Sequence, residues 1–396
     1  MLRVLTLSTI FPNSVRPTFG VFVENQTLRL AGYSDVELRV VSPIAVPPFP
    51  FNLHAHYRGL WRLQREETRK GVRVARPKFA TLPGLSGRFN PLSMFRATRP
   101  ILRRWWASGF RFDVIDAEFF YPDGPVAGWL AAEFGVPFSI KARGADIHYW
   151  CSRPRCRSQI LAAATQADGL LAVADSLRRD MVAIGMDDAK IKVHYTGADL
   201  EQFRPMGSEE RAAKRAALNV TGPLVVSVGA LISRKAHEIV IEAMASVPTA
   251  TLLVVGEGPG RSRLEALIRR LGLTRRVRLL GSVLHEEVST ILAAADVMAL
   301  ASESEGLANA WVEALACGTP IVIPDVDGAR EVLDRPDAGC CVMARTPTSV
   351  AVAIRTILAH PPARDAVRMS AERFTWEKNT SELYEHLIRI QKPHAC

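Results

Sequence analysis

Two carboxylates eight positions apart, Glu305 and Glu313, stand in the segment SESEGLANAWVEALACGTPIV that runs from Ser302 to Val322. Paired carboxylates are the working parts of a glycosidase, so their separation is the first thing to test. Eight helical residues set them roughly 12 Å apart and turn them roughly 80° off a common face. A glycosidase acid and base stand about 5 to 9.5 Å apart, so the spacing argues against hydrolysis. Separate duties suit the two groups better, one at the reacting end of an extended ligand and one at its far end. A nucleotide sugar has that shape, with sugar and ribose hydroxyls at its ends and a diphosphate between.

The elements that position these groups can be read from the flanking residues. Residues 297–301 and 321–323 are short apolar runs of the kind that buried parallel strands show. Between them a helix starts at Asn309, after Gly306 and Ala308, and stops where Gly318 follows Cys317, with Pro320 beyond. In such a strand, loop, helix, strand unit the loop leaves the carboxyl end of the strand, where ligands bind, and free N–H groups at the helix start attract anions. Glu305, Gly306, Leu307, Ala308 and Asn309 make up that stretch.

Other strand ends carry further candidates. The unbroken apolar run 224–228 reads as a parallel strand and feeds Gly229-Ala230-Leu231-Ile232-Ser233-Arg234-Lys235-Ala236, followed by a helix over 237–245. Two adjacent cations at a helix start, Arg234 and Lys235, suit a diphosphate. Near the amino end, a strand over 2–7 leads through a loop broken by Pro12 and Pro17 to Gly20 and a helix over 21–31. Gly20 reads either as a plain turn glycine or as a point where backbone approaches a phosphate closely. A strand over 137–142 delivers Arg143 and Asp146 to its end, as contacts for sugar or acceptor or as a structural turn. The Gly256-Glu257-Gly258-Pro259-Gly260 run has its third glycine one residue early for a dinucleotide fingerprint and reads as a turn.

The pattern Glu305-Gly306, Glu313-Ala314 and Gly318-Thr319-Pro320 resembles the Glu-x7-Glu signature of family-4 retaining glycosyltransferases, of the type that builds bacterial surface polysaccharides. The resemblance covers nearly the whole chain and is weakest over residues 43–111. It implies the GT-B fold, an α/β architecture of two Rossmann-like domains facing across a cleft that closes on the donor. Residues 1–205 would be the acceptor-binding domain and 206–375 the donor-binding domain, with 376–396 a helix returning to the first. It implies that Arg234 and Lys235 clamp the pyrophosphate, that Glu305 holds sugar hydroxyls and Glu313 the ribose, and that a glycine such as Gly20 approaches the phosphates. Backbone around Val283, after a strand over 277–280, would read the nucleobase. Same-face attack needs no enzymic nucleophile. Three departures stand out: Arg143 replaces a common His and cannot shuttle a proton, Ala230 replaces an Arg, and Ala236 replaces a Gly.

Composition frames the rest. A chain of 396 residues, nearly half apolar, suits two well-packed domains. No apolar run reaches the roughly 18 residues of a membrane span, and six scattered cysteines read as reduced thiols; both lead us to expect a cytoplasmic protein. Cys151 and Cys156 lack the spacing and the second Cys or His pair of a zinc site, and Asp325 and Asp327 precede a glycine in a setting that resembles the family's Gly-Gly-containing turn, so no metal and no cofactor is expected. The net charge is +10, and residues 58–111 hold fourteen Lys or Arg against Glu66 and Glu67. The same window carries Trp61, Phe79, Leu82, Leu85, Phe89, Leu92, Met94, Phe95, Trp105 and Trp106. Basic and aromatic residues so interleaved suit an anionic membrane surface or a lipid-linked or oligosaccharide acceptor bearing phosphate; a basic surface over an aromatic core is the plainer alternative. No base-reading motif accompanies the charge, so nucleic acid is not an expected partner. The rival functions are a nucleotide-sugar epimerase of the same fold and a non-catalytic nucleotide-binding protein.

Overall fold

The computed structural model describes residues 1–51, 54, 57, 59–81 and 87–391. Arg58, Leu82, Leu85 and Cys396 of the sequence reading lie outside the described residues. The chain forms two compact units, residues 1–195 with 376–396, and residues 196–375. Residues 196–205, which the sequence reading grouped with the first half, pack with the second. The Ala198 amide donates to Phe374 O at 2.7 Å, and Arg368 donates to the carbonyls of Leu200 and Phe203 at 2.8 Å.

The first unit contains β1 (Leu2–Leu7), β2 (Val36–Val41), β3 (Ile44–Val46), β4 (Glu66–Arg69), β5 (Val72–Ala75), β6 (Lys78–Ala80), β7 (Val114–Ala117), β8 (Phe138–Ala142), β9 (Gly169–Ala172) and β10 (Ile191–Val193). Eight of them form one sheet in the order β10-β9-β8-β7-β1-β2-β5-β4, parallel except for β4, which pairs antiparallel with β5; β3 and β6 pair separately. The central strands are buried on both faces, which explains their near-continuous apolar sequences. The helix Trp376–Ile390 returns to this unit: Leu383, Leu387 and Ile390 join Leu2, Val4, Val23, Leu30 and Val114 in one core cluster.

The basic window, where the resemblance is weakest, forms regular elements among its described residues. It supplies β4, β5 and β6 and an 18-residue helix, Asn90–Ala107, with Pro91 in its first turn. Its aromatics mostly serve packing. Phe79, Met94 and Trp105 are buried, and Trp106 stacks among Phe112 and Phe134. Several of its cations are also neutralised, Arg76 by Glu67, Arg73 and Arg104 by Glu66, and Arg99 and Arg103 by Glu133. Proline and charge hid this order, because helix and strand here are amphipathic and lie against the rest of the unit.

The second unit contains β11 (Leu224–Val228), β12 (Thr251–Val255), β13 (Val277–Gly281), β14 (Val297–Ala299), β15 (Ile321–Pro324) and β16 (Gly339–Val342). All are parallel, in the order β13-β12-β11-β14-β15-β16. Strand order reverses between β11 and β14, and in open α/β sheets ligands bind at the carboxyl ends of the strands at such a reversal.

Candidate active site

The loops that leave β11 and β14 meet at this reversal, and they carry the residues singled out from the sequence. After β11 the chain makes a 3-10 turn, Ser233–Lys235, and enters the helix His237–Ala243 through Ala236. Ala236 has φ 47°, in the left-handed region, and is buried, so the glycine expected at this position by resemblance would fit a real backbone demand. Gly258 and Gly260 of the turn after β12 press on this loop, where any Cβ would lie 2.6 and 2.7 Å from Leu231 O. That close packing is the purpose of the Gly-rich run.

After β14 the chain runs through Ser302 to Ala308 into the helix Asn309–Ala316. Glu305 is 7% exposed and accepts from Lys235 Nζ at 2.5 Å through Oε1, while its Oε2 lies 3.3 Å from Arg234 Nη1. Arg234 also donates to Ser304 O, and its own carbonyl accepts from the Glu303 amide at 2.8 Å. The two cations and the carboxylate, expected to touch different parts of a ligand, are thus one ion-paired group. Arg234 keeps 42% of its side chain exposed against 15% for Lys235, so its guanidinium is the more open of the two to an incoming anion.

Asp327 and Gly328 hold the Glu305 loop in place. Asp327 Oδ2 accepts from the Glu305 amide at 3.0 Å, and the Gly328 amide donates to Gly306 O at 3.1 Å. A Cβ on Gly328 would fall 2.1 Å from Gly306 O, so only glycine allows this approach. Asp325 is engaged elsewhere, receiving two hydrogen bonds from Arg330 at 2.8 and 2.7 Å. Leu307 and Ala308 are buried, which leaves their backbone, rather than their side chains, to face a ligand at the helix start. No side chain caps that helix, and Asn309 is partly exposed at its first position.

Glu313 lies about one turn along the same helix and accepts from His285 Nε2 at 3.1 Å. The Glu313 hydrogen bond raises the His285 pKa, with burial opposing and the charges of Glu313 and Asp199 adding to the rise. His285 also stacks edge-on against Phe203 at 5.0 Å between centroids. Sequence reasoning missed His285; the available signal was its place two residues after Val283, at the end of the loop leaving β13. Val283 itself sits in that loop and is partly exposed.

In the first unit, Asp146 and Arg143 are engaged in the way a structural turn requires. Asp146 is fully buried and its carboxylate accepts from the amides of Phe120 and Arg143 at 2.9 Å and Ile147 at 3.2 Å. It organises its loop and has no face left for sugar or acceptor. Arg143 is also committed: it donates to Glu118 O at 3.0 Å and to the Glu118 carboxylate, and lies over the Phe22 ring. Lys141 reaches the same carboxylate at 3.3 Å. Burial alone would raise Glu118, but Lys141 and Arg143 outweigh it and hold its pKa at about 2. Gly20 has φ 78° and begins the helix Val21–Ala31; a Cβ there would meet Ile10 O at 2.2 Å. The glycine therefore answers at least to chain packing.

Residues 23–197 match a model described as a glycosyl transferase 4-like domain, and residues 208–374 one described as glycosyl transferases group 1. A putative teichuronic acid biosynthesis glycosyltransferase of Bacillus subtilis is 27% identical over 345 residues, 84% of each chain. A D-inositol 3-phosphate glycosyltransferase of Mycobacterium leprae is 34% identical over 232 residues, 55% of this chain and 54% of the relative, so the match spans about half the length of that relative. Among solved structures, a sucrose-phosphate synthase of Thermosynechococcus elongatus has a TM-score of 0.76 at 20% identity, with 98% of this chain and all of the other covered. The Anabaena protein HepE, solved in complex with UDP and glucose, has a TM-score of 0.76 at 18% identity over 98% and 100% of the two chains. The fold is that of the GT-B glycosyltransferases, and the two parallel α/β sheets agree with it.

Proposed function

We propose that this group 1 glycosyltransferase chain is a retaining enzyme that moves a hexose from a nucleoside diphosphate sugar to a hydroxyl of a lipid-linked glycan acceptor, in the making of a bacterial surface polysaccharide. The observation that carries the reading is the Arg234–Glu305–Lys235 group at the strand-order reversal of the second sheet. Breaking the bond between the anomeric carbon and the diphosphate oxygen puts negative charge on the leaving group, and preorganised cations and amides stabilise it there. Arg234, Lys235 and the open start of the helix Asn309–Ala316 supply both kinds of donor. Glu305, held by its two cations and by Asp327 through its amide, orients sugar hydroxyls, and Glu313 with His285 takes the ribose. The acceptor oxygen attacks on the face the phosphate leaves, and its proton passes to the departing phosphate oxygen. That accounting needs neither a protein nucleophile nor a metal.

The names of the relatives support the donor and product class: HepE was solved with UDP and glucose, and the Bacillus relative is named for teichuronic acid biosynthesis. For the acceptor, support comes from a groove of about 640 Å³ in the first unit, lined by Trp61, Arg65, Lys78, Ile101 and Arg104 among others. Trp61 is 47% exposed there, and Phe89 and Leu92 are exposed nearby in sequence. An apolar floor with Arg65 and Lys78, beside the Arg104–Glu66 pair, suits a lipid-borne phosphate at the inner face of the membrane. No helix among the described residues is long and apolar enough to cross a membrane.

The test is a panel of UDP-, GDP- and ADP-sugars with the purified protein, with and without magnesium and a lipid-linked acceptor. Transfer from one donor, independent of magnesium and abolished by Glu305→Ala without loss of fold, is the expected result. A changed sugar from donor alone identifies an epimerase. Strict magnesium dependence overturns the metal-free accounting.

A further inference from the structure

The opposite end of the second sheet carries a second group of cations that the transfer reaction does not use. Asp296 precedes β14 and accepts from the amide of Leu224, the first residue of β11, at 2.7 Å. Arg211 and Arg215, one turn apart on the helix Ser208–Ala217, both pair with Asp296, and Arg364 comes in from the chain after the helix Pro347–Ala359. These arginines also donate to the last carbonyls of the helix His285–Ala294: Arg211 to Ala295 O at 3.3 Å, Arg215 to Ala294 O at 3.1 Å and Arg364 to Ala295 O at 3.1 Å. That explains why they converge. It does not balance them, since three guanidinium groups face one carboxylate.

The imbalance lines a cavity. Arg211, Arg215, Arg364 and Asp296 share the wall of a pocket of about 470 Å³ with Thr221 and an apolar side that includes Pro320, Ile357 and Pro362. A pocket of this size takes a small metabolite. The Nε atoms of Arg211 and Arg364 are buried and have no hydrogen-bond partner. Burial first, and then Arg211 and Arg215 as neighbouring positive charges, push the Arg364 pKa down to about 10.

We infer that this pocket, at the amino ends of β11, β14 and β15, binds a phosphate dianion, free or borne on a small organic ester whose carbon skeleton lies against Pro320, Ile357 and Pro362. The strands between it and the Arg234–Glu305–Lys235 group are five residues long at most, so the two anion sites lie roughly 16 Å apart through the sheet. A planar guanidinium pair suits a phosphate better than a chloride, because each fork matches two oxygens.

The probes are inorganic phosphate and a hexose 6-phosphate, titrated calorimetrically into the full chain and into three variants. Lys235→Ala impairs the donor site and should leave both affinities unchanged. Arg211→Gln removes one fork while Arg215 keeps its hold on Asp296, and Thr221→Glu places a carboxylate on the exposed rim. Each should weaken binding about tenfold or more, the size of one charge-assisted hydrogen bond, with transfer activity in phosphate-free buffer unchanged. The tighter of the two probes names the source of the phosphate. The inference is overturned if neither probe binds saturably, if Lys235→Ala abolishes binding, or if both pocket variants bind as the parent does.

Discussion

Lys235 has the heaviest duty of any single side chain in the proposed site, because it is both the counter-ion of a nearly buried Glu305 and a donor to the leaving diphosphate. Lys235→Met should therefore lower transfer about 10²–10³-fold, the loss seen when one preorganised donor is removed, mainly in kcat, as steady-state kinetics would show. Ala236 beside it makes a different prediction. A Cβ in the left-handed region costs about 1–2 kcal/mol, and glycine's extra unfolded-state entropy returns about 0.5–1. Ala236→Gly should then stabilise the second unit by roughly 0.5–1 kcal/mol in urea unfolding. A neutral or destabilising result would mean that packing around the buried methyl outweighs the backbone.

The helix Asn309–Ala316 ties its two functional ends to different neighbours, the Glu305 loop at its start and His285 at Glu313. His285 has its pKa raised in the folded chain, so its contribution is present in full below the unfolded value of about 6.5 and is lost as pH rises through the folded value. His285→Asn should accordingly cost more stability near pH 6 than near pH 9, measured as the difference in unfolding free energy from the parent, and the His285 ring resonances should titrate above about 6.5. This helix, its cap region and its flanking strands were legible because burial on both sides of a parallel strand leaves unmistakable apolar runs, and Gly318 stops the helix cleanly. Strands β1, β8, β11 and β13 were equally plain. What the residues could not announce was partnership across long separations. Lys235 with Glu305, Asp327 with the Glu305 amide, and Asp146 with the Phe120 amide are each set by sheet order, which no local pattern encodes. The stretch 43–111 failed for another reason: its helix and strands are half-exposed, so their apolar spacing is diluted by arginine and broken by proline.

At the level of the whole chain, the helix Trp376–Ile390 is the tie that makes the first unit discontinuous. It is held by Leu383, Leu387 and Ile390 in the core and by two buried imidazoles: His386 Nε2 meets Ser139 Oγ at 2.8 Å, and His194 Nε2 meets Asn379 O at 2.8 Å. Burial pushes His386 down to about 3, helped by Arg389 and Lys141, and drives His194 down as well. Both groups thus stabilise the fold above about pH 6.5 and lose that contribution as pH falls toward their folded values. Hydrogen exchange along 376–390 should accelerate in that window before exchange in β11 or β12 does. Leu387→Ala should destabilise the first unit by about 2–5 kcal/mol and leave unfolding of the second unchanged. The same tie sets an order of events on the ribosome. Residues 196–375 are contiguous and can finish folding as soon as they emerge, whereas the amino-terminal half, though made earlier, keeps the apolar seat of that helix uncovered until residues 376–390 have been made. A chaperone that shields nascent chains would find its client surface there, on the part of the protein that has waited longest.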